Sequence, residues 1–264
     1  MILLTRREFI QRSTAAAAIV AAGCSSMSQP QHTGPFVYEL RIYTIHPGKT
    51  EALHNRFRDH TLRLFQKHGI ESVGYWMPID PADLRLHFLL RYPSRERREA
   101  SWKTFAADPD WQAAAKASEA NGPLVARVEN PFFVTTDYSP RIAMGNVSHG
   151  GVFEFRDYTT PPGLLPDLDA RFRHHTLKLF EKHGMGNWAY FHRMADQTSA
   201  NVKLEYFLHH KSKAAGEASF KAFREDPIWL AARKASEDKA GGSLTVPNGV
   251  KSTFLAATDY SPTK

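Results

Sequence analysis

Hydrophobic and polar positions change their period along the chain in a fixed order. From Phe36 to Ile45 apolar and polar residues alternate, and β-branched and aromatic side chains are frequent, which predicts a strand. Tyr38, Leu40 and Ile42 share one face of that strand, and Glu39, Arg41 and Tyr43 share the other. Pro47-Gly48 ends it. From Thr50 to His68 the spacing becomes helical, with Leu53, Phe57, Leu64 and Phe65 on one stripe and Gly69 just past the end. Val73–Met77 and Leu84–Tyr92 read as strands joined through Pro78 and Pro81. Arg95–Ala107 reads as a helix. Asp108-Pro109 then supplies an N-cap and a first-turn proline for a second helical piece through Glu119. Phe132–Thr136 is a final strand. The order β-α-β-β-α-β is the ferredoxin-like plan.

The same order then returns. "RFRDHTLRLFQKHG" (Arg56–Gly69) and "RFRHHTLKLFEKHG" (Arg171–Gly184) agree at eleven of fourteen positions. Glu39-Leu-Arg41-Ile-Tyr43 returns as Glu154-Phe-Arg156-Asp-Tyr158. The Asp108-Pro109-x-Trp111 element returns as Asp226-Pro227-x-Trp229, and Thr136-Asp-Tyr-Ser-Pro140 returns as Thr258-Asp-Tyr-Ser-Pro262. Two long copies predict a tandem pair; a solenoid needs shorter and more numerous repeats. The glycine-rich stretch between them reads as a linker over 141–150, separating repeat 1 (36–140) from repeat 2 (151–262). A ferredoxin-like sheet has helices on one face and a bare face that needs a partner. Two copies in one chain supply each other, so the expected architecture is α+β, with two repeats packed sheet to sheet as an internal barrel.

In that arrangement helices are expected over the apolar face of the first strand. The Glu39-Arg41-Tyr43 triplet and its counterpart Glu154-Arg156-Tyr158 then point into the barrel. Buried charges cost several kcal/mol unless paired. The triplets are therefore either a mutual brace or a polar wall around a small, anionic ligand. Arg85, His87 and Arg91 in one repeat, and Lys203, Glu205 and His209 in the other, add polar groups that do not match between copies. His68 sits in a last helical turn, where the helix dipole and free carbonyls favour it. His60 and His175 lie at the edge of the apolar stripe and join the triplets as candidate ligand-binding residues. The thirteen histidines form no metal-binding spacing, and no nucleophile–base pair is legible. Catalytic residues are unassigned, and no metal or cofactor is predicted.

The ends and the totals narrow the setting. Residues 1–24 have a basic start, a short apolar core and small residues before Cys24, which reads as an export leader. Thr5-Arg6-Arg7-Glu8-Phe9 resembles the twin-arginine motif, and Ala22-Gly23-Cys24 resembles a lipobox. Cys24 is the single cysteine of 264 residues, which fits lipidation and excludes an internal disulfide. Residues 25–35 then form a flexible tether. The expected location is the periplasm or cell envelope, with the twin-arginine machinery as partner and the membrane reached through a lipid anchor. The formal charge is +7, but the bases are scattered and do not alternate with aromatics, so nucleic acid is not an expected partner. Further oligomerisation is left open.

"YELRIYTIHPGK", "RFRDHTLRLFQKHG" and the Asp108-Pro109-x-Trp111 element together resemble the NIPSNAP family, in two successive domains. That resemblance implies the dimeric α/β-barrel superfamily, whose members include haem-binding enzymes, cofactor-free monooxygenases and muconolactone isomerase-like proteins. It carries no agreed catalytic residues onto this chain. Three readings of function follow. The first is an exported protein that binds a small molecule in the cavity between the repeats. The second is a cofactor-free monooxygenase or isomerase using Arg41, Tyr43 or His60. The third is a non-catalytic envelope scaffold.

Overall fold

The structure, a computed structural model, describes residues 35–145 and 150–264. The leader, with Arg6, Arg7 and Cys24, lies outside the described residues, as does nearly all of the tether. Repeat 1 runs β1 (Val37–Ile45), α1 (Thr50–Arg56), a π-helical turn (Phe57–Thr61), α2 (Leu62–Lys67), β2 (Glu71–Pro78), β3 (Arg85–Tyr92), α3 (Arg95–Ala106), α4 (Pro109–Ser118), β4 (Val125–Glu129) and β5 (Phe132–Thr135). Repeat 2 runs β6 (Val152–Thr159), α5 (Leu165–Arg171), a second π turn (Phe172–Thr176), α6 (Leu177–Lys182), β7 (Gly186–Arg193), β8 (Lys203–His210), α7 (Lys213–Glu225), α8 (Pro227–Ala240) and β9 (Val250–Ala257).

The strands close on themselves. The order β3-β2-β9-β6-β8-β7-β5-β1 returns to β3 through the β1–β3 pairing, giving an eight-stranded antiparallel barrel. β4 is a ninth strand, not foreseen from the sequence, that continues the line of β5 beside β1. Each repeat contributes one contiguous half. The seams are β2 with β9, where Trp76 faces Ala257, and β5 with β7, where Phe133 faces Arg193. Closure pairs each of these eight barrel strands on both sides.

Three apolar clusters result among the described residues. One fills the barrel and includes Tyr38, Leu40, Trp76, Phe133, Phe153, Trp188 and Phe207. The others lie between each half-sheet and its own helices. Gly74 permits the filling, because a Cβ there would run into the Trp76 ring. At one end of the barrel Ile142 is buried in the central cluster and Met144 packs against it, so the start of the linker covers that end.

The duplicated Thr-Asp-Tyr-Ser-Pro segments form crossed arms. Thr136 donates its backbone N–H to the Tyr190 carbonyl, and the Tyr190 N–H is taken by Ser139 Oγ. Tyr138 donates to Asp169, and Arg173 grips Asp137. The mirror set joins Thr258, Ser261, Tyr260 and Asp259 to Tyr75, His54 and Arg58. Each repeat therefore ends on the helix and strand of the other.

The helix foreseen over Thr50–His68 is interrupted by the π turn. Thr61 Oγ1 donates to the Arg56 carbonyl five residues back, and Thr176 Oγ1 does the same to Arg171. The conserved pair of threonines in the repeat thus serves the widened turn. His68 also has a different partner from the one expected. Its Nε2 lies 2.7 Å from Asp108, the N-cap of α4, and Lys67 binds the same carboxylate. These two contacts hold the Asp108 carboxyl well below the usual carboxylate range. His183, Lys182 and Asp226 repeat the arrangement.

Candidate functional site

The first strands of the two repeats present their faces the other way round from the sequence expectation. Tyr38, Leu40 and Ile42 point into the barrel. Glu39, Arg41 and Tyr43 point towards the helices. Alternation gives the set of residues that share a face, but both faces of this strand are covered, so it does not give the layer each meets.

The triplet is a brace within its own repeat. Glu39 is fully buried and accepts from Arg41 at 2.6 Å, from Arg98 of α3 at 2.7 Å and from Tyr92 at 3.2 Å. Burial alone would raise its pKa. The Arg98 and Arg41 contacts outweigh burial and hold it below the usual range. Arg41 also donates to Tyr43 and lies 4.3 Å over the Trp102 ring. In repeat 2, Glu154 accepts from Arg156, His210 and Ser252, and Arg156 donates to Tyr158. Neither triplet lines the barrel interior. His60 and His175 are exposed on the π turns, outside it as well.

A cavity of about 510 Å³ opens at the end of the barrel opposite Ile142. Its wall comes from the inward faces of both half-sheets: Ile42 of β1, Arg85 and His87 of β3, Phe155 and Asp157 of β6, Arg193 of β7, Glu205 of β8 and Lys251 of β9. Three of these, Arg85, His87 and Glu205, belong to the mismatched polar set noted in the sequence. The other members lie elsewhere. Arg91 pairs with Glu71, His209 contacts the Gly150 carbonyl, and Lys203 binds Asp157.

Most charges in the wall are neutralised. Arg85 is paired with Asp83, Arg193 with Glu205 through two bonds of 2.8 and 2.9 Å, and Glu129 with Arg127. Lys251 has no ion-pair partner among the described residues. Burial raises the pKa of Glu205, partly offset by Arg193. Burial, with the nearby charge of Arg85, pushes His87 down to about 4, so its ring is neutral at pH 7. His87 Nδ1 lies 3.2 Å from the Arg85 carbonyl. A carbonyl only accepts, so Nδ1 carries the proton and Nε2 is left as an acceptor. Nε2 has no hydrogen-bond partner among the described residues. Sequence reasoning put His87 on a polar face, but its tautomer depends on a local contact that periodicity does not show.

Among the described residues no three acidic, histidine or cysteine side chains converge as a metal site. No described helix is long and apolar enough to cross a membrane.

Comparison with known proteins agrees with the geometry. The NIPSNAP family profile matches residues 38–140, so the chain carries a NIPSNAP domain in its first repeat. A NIPSNAP family protein from Agrobacterium tumefaciens is 25% identical over 40% of this chain and 97% of its own, with a TM-score of 0.36. An uncharacterized NIPSNAP-like domain protein from Burkholderia xenovorans is 20% identical over 41% of this chain and 92% of its own, with a TM-score of 0.37. Over nearly the whole barrel, the chain is similar to an anthrone oxidase-like protein. There the identity is 14%, the coverage 88% of this chain and 95% of the other, and the TM-score 0.53. At that identity the likeness is one of fold: a dimeric α/β barrel. No curated protein matches the sequence.

Proposed function

We propose that this protein binds a small molecule in the barrel mouth, and that it does so at the cell envelope, with repeat 2 acting as a diverged copy of the NIPSNAP domain. The observation that carries the reading is His87. A neutral imidazole with a fixed tautomer faces a cavity within the usual size range of ligand sites, roughly 300–1,000 Å³. The ligand offers a hydroxyl or N–H to Nε2 and an anionic group to Lys251, whose ammonium forms no ion pair among the described residues. The twin-arginine motif and Cys24 support export and anchoring.

Native mass spectrometry with an absorption spectrum, on the chain purified after export, tests the binding. A bound mass that disappears in Lys251→Ala supports the reading, and a clean apo mass at every loading overturns it. Cys24→Ser is expected to move the protein from the membrane fraction to the soluble one.

A cofactor-free oxygenase or isomerase is the second reading, supported by the same bare Nε2. A general base works best with a pKa near the operating pH. At about 4, His87 suits accepting a hydrogen bond better than removing a proton. On this second reading the rate follows a titration near that value.

A further inference from the structure

Repeat 2 holds another cavity, of about 300 Å³, between its half-sheet and its own helices. It is separate from the barrel mouth and shares no lining residue with it. Phe172, Phe180, Phe220, Phe223 and Trp229 supply an aromatic wall, and Arg156, Arg171, Arg224 and Arg233 also line it. Glu237 is the one acid among the described lining residues.

Repeat 1 lacks two of these charges. The alignment that pairs Trp111 with Trp229 places Ala106 opposite Arg224, Ala115 opposite Arg233 and Trp102 opposite Phe220. Repeat 2 thus carries two arginines at the rim where repeat 1 has alanines, and a smaller ring inside where repeat 1 has tryptophan. Both new arginines are exposed. Arg233 takes Glu237 at 3.0 Å. That leaves buried Arg171 with Glu237 at 3.8 Å, whereas its counterpart Arg56 holds Glu119 at 2.9 Å. Arg171 Nε, like Arg56 Nε in repeat 1, is buried without a hydrogen-bond partner among the described residues. Burial, only partly offset by Glu237, lowers the pKa of Arg171. Arg224 has no ion-pair partner among the described residues. The cavity is therefore short of negative charge and lined with aromatic rings.

We propose that this cavity binds a small organic anion, its carboxylate or similar head held by Arg171, Arg224 and Arg233 and its apolar body packed among Phe172, Phe220 and Trp229. Guanidinium forks match a carboxylate in geometry as well as charge. The π turn contributes Phe172 and Thr176 to the wall, and such turns recur at functional sites.

Residues that repeat 1 already carries give the test. Calorimetric titration of the purified full chain with octanoate, and with 1-octanol as the neutral control, reads the site directly. Octanoate is expected to bind saturably at one site, at least tenfold more tightly than octanol. The exposed double variant R224A/R233A should weaken octanoate at least tenfold with no change in melting temperature. Phe220→Trp should abolish binding by filling the cavity. Lys251→Ala, in the barrel mouth, should leave it unchanged. The proposal is overturned if octanoate does not bind, if R224A/R233A binds it as the parent does, or if Lys251→Ala rather than the repeat 2 variants removes binding. The last result would place the anion in the barrel mouth.

Discussion

Glu39 and Glu154 occupy equivalent places in the two repeats and are neutralised differently. Glu39 is held by two guanidiniums, Arg41 and Arg98, with Tyr92 beside them. In repeat 2 the position of Arg98 is Gly216 and that of Tyr92 is His210, so Glu154 meets one guanidinium and one imidazole. A Cβ on Gly216 would crowd the His210 ring, so the two changes belong together. An arginine is charged at any working pH. Repeat 1 therefore sets two permanent charges against its buried acid, and repeat 2 sets one guanidinium, an imidazole and the Ser252 hydroxyl against its own.

The largest expected effect breaks these braces. Glu39→Ala leaves buried Arg41 without an acid and Arg98 with only the exposed Glu99, and should cost about 3–5 kcal/mol in urea unfolding. Glu154→Ala should cost less, about 2 kcal/mol, because a single guanidinium, that of Arg156, loses its acid. Equal losses would mean that the two braces are equivalent after all.

Next comes the pair His87 and Glu205, equivalent positions in the barrel mouth. His87 is neutral in the fold down to about pH 4. The unfolded chain takes up that proton near pH 6.5, so stability rises with pH between the two values and is lost below them. Removing the group in His87→Gln should flatten this dependence by about 3 kcal/mol between pH 7 and pH 4. An unchanged acid limb would show that the ring is not shielded as described.

The crossed arms differ more mildly. Tyr138 donates to the carboxylate of Asp169 at 2.7 Å, and Tyr260 pairs with the neutral-leaning ring of His54 at 2.8 Å. A bond to a charged acceptor is the stronger, so Tyr138→Phe should cost about 2 kcal/mol and Tyr260→Phe about 1 kcal/mol by thermal melting. Reversal of that order would argue that packing of the rings, not the hydroxyls, secures the arms. Smallest of all, His60→Gln and His175→Gln should each change stability by less than about 0.5 kcal/mol, as exposed substitutions do, and leave ligand binding intact. A loss of binding in either would bring the π turns into the site.

Much of this architecture is readable in the sequence. The repeat, the element order and the need for a partner sheet follow from period and composition, and the barrel follows from them. The first strand marks the limit. Its alternation separates Tyr38, Leu40 and Ile42 from Glu39, Arg41 and Tyr43 correctly, yet a strand covered on both sides carries no label for inside. The deciding residue was Arg98, one turn before Trp102 on α3: a buried acid with a helix arginine above it belongs to the helix layer. The π turns and β4 were missed because one extra residue in a helix, or one kink beside a strand, barely disturbs a hydrophobic pattern. The barrel cavity was partly visible in Arg85, His87 and Glu205. Lys251 and Arg193 were not, because only closure brings those strands to one mouth.

The joining of both halves in one chain has an evolutionary consequence. In a symmetric homodimer every substitution appears twice, so an arginine gained at one rim is gained at both. A fused pair is free of that constraint. Trp102 and Phe220, Ala106 and Arg224, or His87 and Glu205 could each drift apart while the crossed arms kept the halves together. One half can stay a scaffold while the other explores new chemistry.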